Sequence, residues 1–279
     1  MFTLNRVVPW GRSFEEYRRM FALSDADLQL KILGCADGPA SFNAEASRLG
    51  HSVISIDPLY RFDARTIRDR IAVTYDKMLE QARRNSQQFV WAAIQSVDEL
   101  GFIRMRVMQA FLDDYDLGKR QGRYVDAELP SIAFPDKSFD LVLCSHFLFL
   151  YTEHLSEPFH RSAILELCRV GREVRIFPLL ALDGRISPYV ASVVEHLGDS
   201  YEISIQTVPY EFQRGGNKMM RLRPLSCSVG LLEDDVQGVA YAGRAPCGDI
   251  THQERHQHED DGDSRESHRI GRSNAIDHR

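Results

Sequence analysis

The spacing of apolar residues changes period several times along the chain, and each change marks an element. In SFEEYRRMF the residues Phe14, Tyr17 and Phe21 stand three and four apart, with Ser13 ahead of them and Glu16 three residues after Ser13. That capping-box spacing predicts a short leading helix over residues 13–21. From Leu30 the pattern reads strand (LKILGC), glycine-bearing turn, helix (SFNAEASRLG, opened by Ser41 and stopped by Gly50) and strand (SVISID), which is one βαβ unit. Two helix-compatible stretches follow, DARTIRDRIAVTYDKMLEQARR and VDELGFIRMRVMQAFLDDY, with no Pro or Gly between Asp63 and Leu100. Residues 60–122 are too long for a simple crossover and predict a helical insertion. Its apolar positions, Ile67, Ile71, Tyr75 and Met78, then Phe102, Met105, Met108, Phe111 and Leu112, predict one face packed on the sheet.

Strand patterns resume at GRYVDAEL and FDLVLCSH, then a helix near residues 158–170, the strand EVRIFPLL and a helix in PYVASVVEHLG. YEISIQTVPYEF and NKMMRLRP, separated by Arg214-Gly215-Gly216, predict a closing hairpin. Strands alternating with helices and ending in a hairpin give an α/β, doubly wound, mostly parallel seven-stranded sheet with an antiparallel edge. The expected organisation is an N-terminal helical segment at 1–24, a main domain at 25–223 and an extension at 224–279. Residues 249–279 are nearly devoid of apolar side chains and are expected to be disordered.

Composition narrows the class. A chain of 279 residues, 43% hydrophobic and 27% charged, can bury one sizeable core with an insertion. No stretch approaches the ~20 apolar residues of a membrane span, and the N-terminus has no apolar signal core, so a soluble, cytoplasmic protein is expected. The cysteines (Cys35, Cys144, Cys168, Cys227, Cys247) are odd in number and lack C-x-x-C spacing, which predicts free thiols and no zinc site. Residues 224–279 carry 6 Arg against 11 Asp and Glu, which leaves residues 1–223 almost neutral. A nucleic-acid partner is therefore not indicated. Five of the ten histidines fall in 249–279, where a solvated tail is the simpler reading than a metal site.

The candidate chemistry sits in the first turn, Gly34-Cys35-Ala36-Asp37-Gly38-Pro39-Ala40. In a doubly wound sheet ligands bind at the carboxyl ends of the strands, where small residues let a ligand approach the backbone. Ala36 and Ala40 stand where a dinucleotide fingerprint needs glycine, so the turn alone reads equally as a tight turn without ligand. Asp57 ends the second strand 21 residues after Ala36, where a carboxylate can accept from both hydroxyls of a ribose. Asp57-Pro58 would also serve as a turn starter.

Over about residues 25–223 the chain resembles the class I S-adenosyl-L-methionine (SAM)-dependent methyltransferases, an uncharacterised bacterial branch of them. The resemblance is carried by ILGCADGPASFNAE, VISIDP, LPSIAFPDKSFDLVLCSHFLFLY and LELCRVGREVRIFPL, with VPYEFQRGGN closing the domain. It implies a Rossmann-like methyltransferase fold with SAM as cofactor. By position, Ala36 and Gly38, with Cys35 and Asp37 in the same turn, would line the methionine part of SAM. Asp57, with Pro58 beside it, would hold the ribose, and Glu128 with the Leu129 backbone would face the adenine. Cys144, Ser145 and His146 would border the transferring methyl. One departure is Gly34, which stands where the family commonly has an acidic residue.

Were the acceptor protonated, His146 and Tyr151 would be the candidate bases, Tyr151 being equally a packing residue. Trp10 and Arg12 could cap the cofactor pocket or form a staple or hinge. The insertion together with residues 13–21 is expected to act as a lid. A small-molecule acceptor is favoured by the near-neutral body. The rival readings are a NAD(P)-dependent oxidoreductase, disfavoured by Ala36, Pro39 and Ala40, and a non-catalytic SAM-binding protein.

Overall fold

The run Ile32–Cys35 is buried at every position, as a strand covered on both faces must be. The computed structural model describes residues 8–225. In chain order the elements are α1 (Phe14–Met20), β1 (Ile32–Cys35), α2 (Phe42–Arg48), β2 (Val53–Ile56), α3 (Ala64–Arg84), α4 (Val97–Arg120), β3 (Tyr124–Val125), β4 (Phe139–Ser145), α5 (Glu157–Val170), β5 (Gly171–Phe177), α6 (Tyr189–Leu197), β6 (Tyr201–Thr207) and β7 (Lys218–Pro224). The sheet order is β3-β2-β1-β4-β5-β7-β6, with β7 antiparallel to both its neighbours. The expected seven-stranded, mostly parallel, doubly wound sheet closed by a hairpin is thus the one observed. Its order reverses at β1, which lies between β2 and β4, so the crevice at the carboxyl ends of β1 and β4 is the place a ligand enters such a sheet.

Alternation along the strands divides the core between two faces. Leu33, Cys35, Val142 and Cys144 pack towards α5 and α6, whose Ala163, Ile164, Leu167 and Val193 complete that layer. Ile32, Leu141 and Leu143 face the other way, against Phe14, Tyr17, Phe21 and Phe42 of the α1 and α2 region. Ser13 and Glu16 form the reciprocal capping box predicted for α1.

The insertion consists of α3 and α4, packed through Ile67, Ile71, Met108, Phe111, Leu112 and Tyr115. Two expected members of its apolar face are misplaced: Phe102 is 66% exposed and Met105 38% exposed. The buried stripe of α4 runs through Leu100, Arg104, Val107, Met108, Phe111 and Tyr115, one helical step from the all-apolar choice. Tyr75 is half-buried and meets the Trp10 ring at 6.1 Å. Ser41 occupies the N-cap position of α2 without capping a backbone N–H; its hydroxyl donates to Glu45 instead. β3 is reduced to two residues of the longer strand pattern.

Cys35, Cys144 and Cys168 are buried free thiols, whereas Cys227, Cys247 and the expected disorder at 249–279 fall outside the described residues. Among the described residues, no helix is long and apolar enough to cross a membrane. No cluster of His, Cys, Asp and Glu suited to a metal ion occurs among them.

Candidate functional site

The turn after β1 bends back sharply, with Ala36 at φ +57° and Gly38 at φ +53°. Such angles suit glycine, so Ala36 is strained while Gly38 is not. The bend returns the Asp37 carboxylate over Gly34. A Cβ at position 34 would lie 1.9 Å from Asp37 Oδ2, so no side chain fits there while Asp37 keeps this position. The carboxylate expected two residues before Ala36 is therefore absent, and one from Asp37 fills that space.

Tyr17 donates to Asp37 Oδ1 at 2.7 Å and Ser55 to Oδ2 at 2.6 Å. Burial pushes the Asp37 carboxyl up to about 7, against the lowering effect of these two hydroxyls. Asp57 accepts from Leu59 N at 2.7 Å and from Gly38 N at 2.9 Å. It thereby starts the single helical turn Pro58–Arg61 and ties the end of β2 to the glycine turn at the same time. A carboxylate offers about four lone-pair positions, so two remain for a ligand. Burial pushes Asp57 up to about 6, with the two backbone N–H groups opposing it.

The anion site that a dinucleotide would use is taken. In a nucleotide-binding βαβ unit the pyrophosphate sits at the N-terminus of the helix after the turn. Here Ser41 N donates to the Arg12 carbonyl at 3.1 Å, and Glu45 Oε1 also accepts from Phe14 N at 3.4 Å. A Cβ on Gly11 would stand 2.1 Å from the Pro39 carbonyl oxygen, so the N-terminal segment lies directly on the turn.

At the end of β4, His146 holds φ +51°, and its Nδ1 is 3.0 Å from Ser145 Oγ. Burial, with the Arg12 and Arg104 charges adding to it, keeps the imidazole well below its ordinary range and hence neutral near pH 7. Tyr151 is buried, its hydroxyl oxygen accepts from Val8 N at 3.4 Å, and burial pushes its pKa up to about 12. Neither group is a strong base at neutral pH.

One cavity of about 1080 Å³ connects these elements. Of the residues singled out from sequence, Cys35, Ala36, Asp37, Gly38, Asp57, Pro58, Glu128, Leu129, Ser145, His146 and Tyr151 all line it. Cys144 does not: it is fully buried in the core on the α5 side, in register with Cys35. Glu128 is mostly exposed at the rim, 3.8 Å from Arg61. Trp10, Arg12 and a face of α3 (Thr66, Val73, Met78 among others) also line the cavity.

Sequence reasoning missed the network beneath Arg12. Arg104, whose side chain is 0% exposed, donates through Nη1 and Nη2 to the two carboxylate oxygens of Glu16 at 2.6 Å each. The signal was present as an arginine inside the apolar stripe of α4, a placement that demands a buried partner.

The 221 residues that align with uncharacterized protein MJ0045 of Methanocaldococcus jannaschii are 35% identical to it, and cover 79% of this chain and 97% of that one. The chain belongs to that protein's family. No protein-family model matches it. Among solved structures the chain is similar to a SAM-dependent methyltransferase from Aquifex aeolicus (13% identity, 74% of this chain and 90% of that one, TM-score 0.37). It is similar also to magnesium protoporphyrin IX methyltransferase from Synechocystis PCC 6803 with bound SAM (13%, 75% and 89%, TM-score 0.38). A third is 1,6-didemethyltoxoflavin-N1-methyltransferase from Burkholderia thailandensis (12%, 75% and 78%, TM-score 0.40). These likenesses are distant in sequence and in shape.

Proposed function

We propose that this chain is a SAM-dependent methyltransferase acting on a small-molecule acceptor. The observation that carries the reading is the convergence of the Ala36–Gly38 turn, Asp57, Glu128 and Ser145 on one cavity at the carboxyl ends of β1, β2 and β4. Its volume is at or above the top of the usual ~300–1,000 Å³ range for ligand pockets, which leaves room for a cofactor and an acceptor together. In this reading the free lone pairs of Asp57 accept from the ribose hydroxyls. Asp37 supplies a carboxylate near the ammonium of the amino-acid end of SAM, the role left open by Gly34. Glu128 and Leu129 border the adenine, and Ser145 with His146 flanks the methyl.

SAM supplies an activated methyl on a sulfonium, so the protein's task is alignment and exclusion of water. Because burial makes His146 a weak base and Tyr151 keeps its proton, the site suits an acceptor atom that needs no deprotonation before it attacks. The NAD(P) reading is opposed by the filled helix terminus at Ser41, where Arg12 O and Glu45 stand in the place of a pyrophosphate.

Calorimetric titration of the full chain with SAM, S-adenosylhomocysteine and NAD(P)H tests the cofactor. Binding of the first two and not of the third is expected. NAD(P)H binding with no response to S-adenosylhomocysteine would overturn the proposal. Transfer of labelled methyl from SAM to a panel of small molecules then separates an enzyme from a binder.

A further inference from the structure

The chain from Ser145 at the end of β4 to Leu155 just ahead of α5 supplies a continuous run of cavity wall, with His146, Phe147, Leu150 and Tyr151 between them. Two residues of this loop, His146 at φ +51° and Phe149 at φ +61°, hold left-handed angles that disfavour side chains. Such a loop keeps its shape only where its surroundings fix it.

The fixing group is His160, in the first turn of α5. It is fully buried, its ring between those of Phe149 and Tyr189 with centroids 5.5 and 4.9 Å away. Nε2 stands 3.1 Å from Phe149 N, and Nδ1 stands 2.9 Å from the Ser156 carbonyl oxygen. A backbone N–H can only donate and a carbonyl can only accept, so Nε2 carries the lone pair and Nδ1 the proton. One neutral tautomer thereby ties both ends of the stretch from Phe149 to Ser156. The loop is anchored further where Leu150 O accepts from Leu182 N at 3.1 Å and the Tyr151 hydroxyl accepts from Val8 N at 3.4 Å.

Burial holds the imidazole below its ordinary range, against the opposing effects of the Ser156 carbonyl and Glu157. The titratable groups beside it are Glu157 on its own helix and Tyr189 on α6, while the loop presents the Phe149 ring and backbone. A second proton, on Nε2, would set donor against donor at Phe149 N.

We propose that His160 is the positioning residue of this wall: as the Nδ1-protonated tautomer it latches the loop after β4 in the shape that sets Ser145 and His146 beside the transferring methyl, and protonation releases it. That the wall borders a methyl rests on the methyltransferase reading; the latch itself does not.

NMR shifts of the ring atoms in the full chain at neutral pH read the tautomer. The Nδ1-protonated form, the rarer one for free histidine, is expected. Hydrogen exchange in wild type, His160→Gln and His160→Asn reads the latch. Gln can present an amide oxygen where Nε2 stood and does not titrate, whereas Asn is too short to reach Phe149. Asn should lower protection of the Phe149 amide by about tenfold or more, as expected of a buried N–H left without its acceptor, and Gln should keep most of it. With rates corrected for intrinsic pH dependence, loop protection in wild type should fall by up to about tenfold per pH unit below the ordinary histidine range, because the latched ring binds fewer protons than the released one. His160→Gln, which retains Asp37 and Asp57, should lack that fall. SAM labelled in its methyl group gives the link to chemistry: His160→Asn should bind it within about twofold of wild type, the turn-side contacts being intact, yet shift its methyl resonance.

An Nε2-protonated or cationic ring at neutral pH overturns the proposal, as does a pH response that His160→Gln shares in full. These two readings decide the latch even where His160→Asn does not fold. A Phe149 amide equally protected in a folded Asn variant also overturns it, and a methyl resonance that stays in place while the loop opens removes the positioning role. Failure of wild type to bind SAM overturns the methyltransferase reading instead, and the tautomer, exchange and pH measurements then judge the latch alone.

Discussion

The two walls of the cavity are built in opposite ways. The turn-side wall comes from two short contiguous stretches, residues 34–40 and 55–58, locked by backbone N–H groups and two hydroxyls onto Asp57 and Asp37. The opposite wall is assembled from the N-terminal segment, α3, the Gln88 turn and the loop between β6 and β7, which meet only in three dimensions. It is underpinned by a buried ion pair, Glu16 with Arg104, rather than by a sheet. A wall of the first kind is specified by local sequence, and one of the second kind by long-range complementarity. The first should therefore tolerate changes elsewhere, whereas the second should fail as a unit.

The largest effect expected from that contrast comes from Glu16→Gln. Burial alone would raise the Glu16 carboxyl, but the charge and hydrogen bonds of Arg104 outweigh it and hold the group well below the usual carboxylate range. Neutralising it leaves Arg104 and Arg12 facing one another without an anion. The cost should be about 3–5 kcal/mol in urea unfolding, as for other broken buried pairs. A loss under about 1 kcal/mol would mean that the second wall does not depend on this pair.

A smaller effect is expected on the turn-side wall. Asp57→Ala should weaken S-adenosylhomocysteine binding by about 1.5–3 kcal/mol, the range for hydrogen bonds to charged groups, in a protein that remains folded. Unchanged affinity in calorimetry would remove Asp57 from the site.

The contrast also decides what could be read from the sequence. The βαβ unit, the closing hairpin and the capping box of α1 follow from local period and spacing, and all were legible. So were eleven of the candidate residues on the cavity wall, because they sit at strand ends where the fold puts its ligands. Cys144 shares a face and a register position with Cys35, but β4 continues to Ser145, so Cys144 lies one residue inside the strand rather than at the cavity edge, an offset that its place in the motif does not show. The fit of Gly34 under the Asp37 carboxylate depends on a left-handed Ala36 that no period reveals. Arg104 was hidden for a different reason. Its partner lies 88 residues away, and a single arginine among Met105, Val107 and Met108 reads as an exposed position until the helix is rotated by one step.

Acidity gives a third test, smaller again and opposite in sign for the two properties it touches. Asp37 and Asp57 titrate near 7 and 6 in the folded chain, above the ordinary carboxylate range. The folded state then binds more protons than the unfolded one between about pH 4 and 7. Their contribution to stability is present below that window and is lost as pH rises through it. Ligand binding runs the other way, because only the ionised carboxylates accept without restriction from a ribose or an ammonium group. Affinity for S-adenosylhomocysteine should rise between pH 5.5 and 7.5, by at most about fourfold through Asp57 and about 25-fold through Asp37. Asp57→Asn should remove the lower part of that rise. A flat profile in wild type would show that neither carboxylate meets the ligand.

The smallest signal, and the one that sharpens the contrast most, lies within the insertion. The structure divides it: Thr66, Val73, Thr74, Met78 and Ala82 of α3 line the cavity, whereas α4 reaches it through Leu100 in its first turn and lies behind from there on, with Arg104, Phe111 and Tyr115 fully buried. A lid must have a stability lower than that of the core, so that ligand can add protection to it. The lid reading therefore applies to α3 with the N-terminal segment, and α4 belongs to the scaffold. In hydrogen exchange, amides of α3 should slow severalfold on adding S-adenosylhomocysteine and more with a small-molecule acceptor analogue present. Those of α4 around Arg104 to Tyr115 should exchange as slowly as β1 and β4 with or without ligand. If α3 is as protected as β4 in the free chain and responds to neither ligand, both helices are core and the lid assignment fails. If α3 and α4 respond together, the insertion moves as one body and Arg104, rather than the α3 face, is the part of the second wall that ligand stabilises.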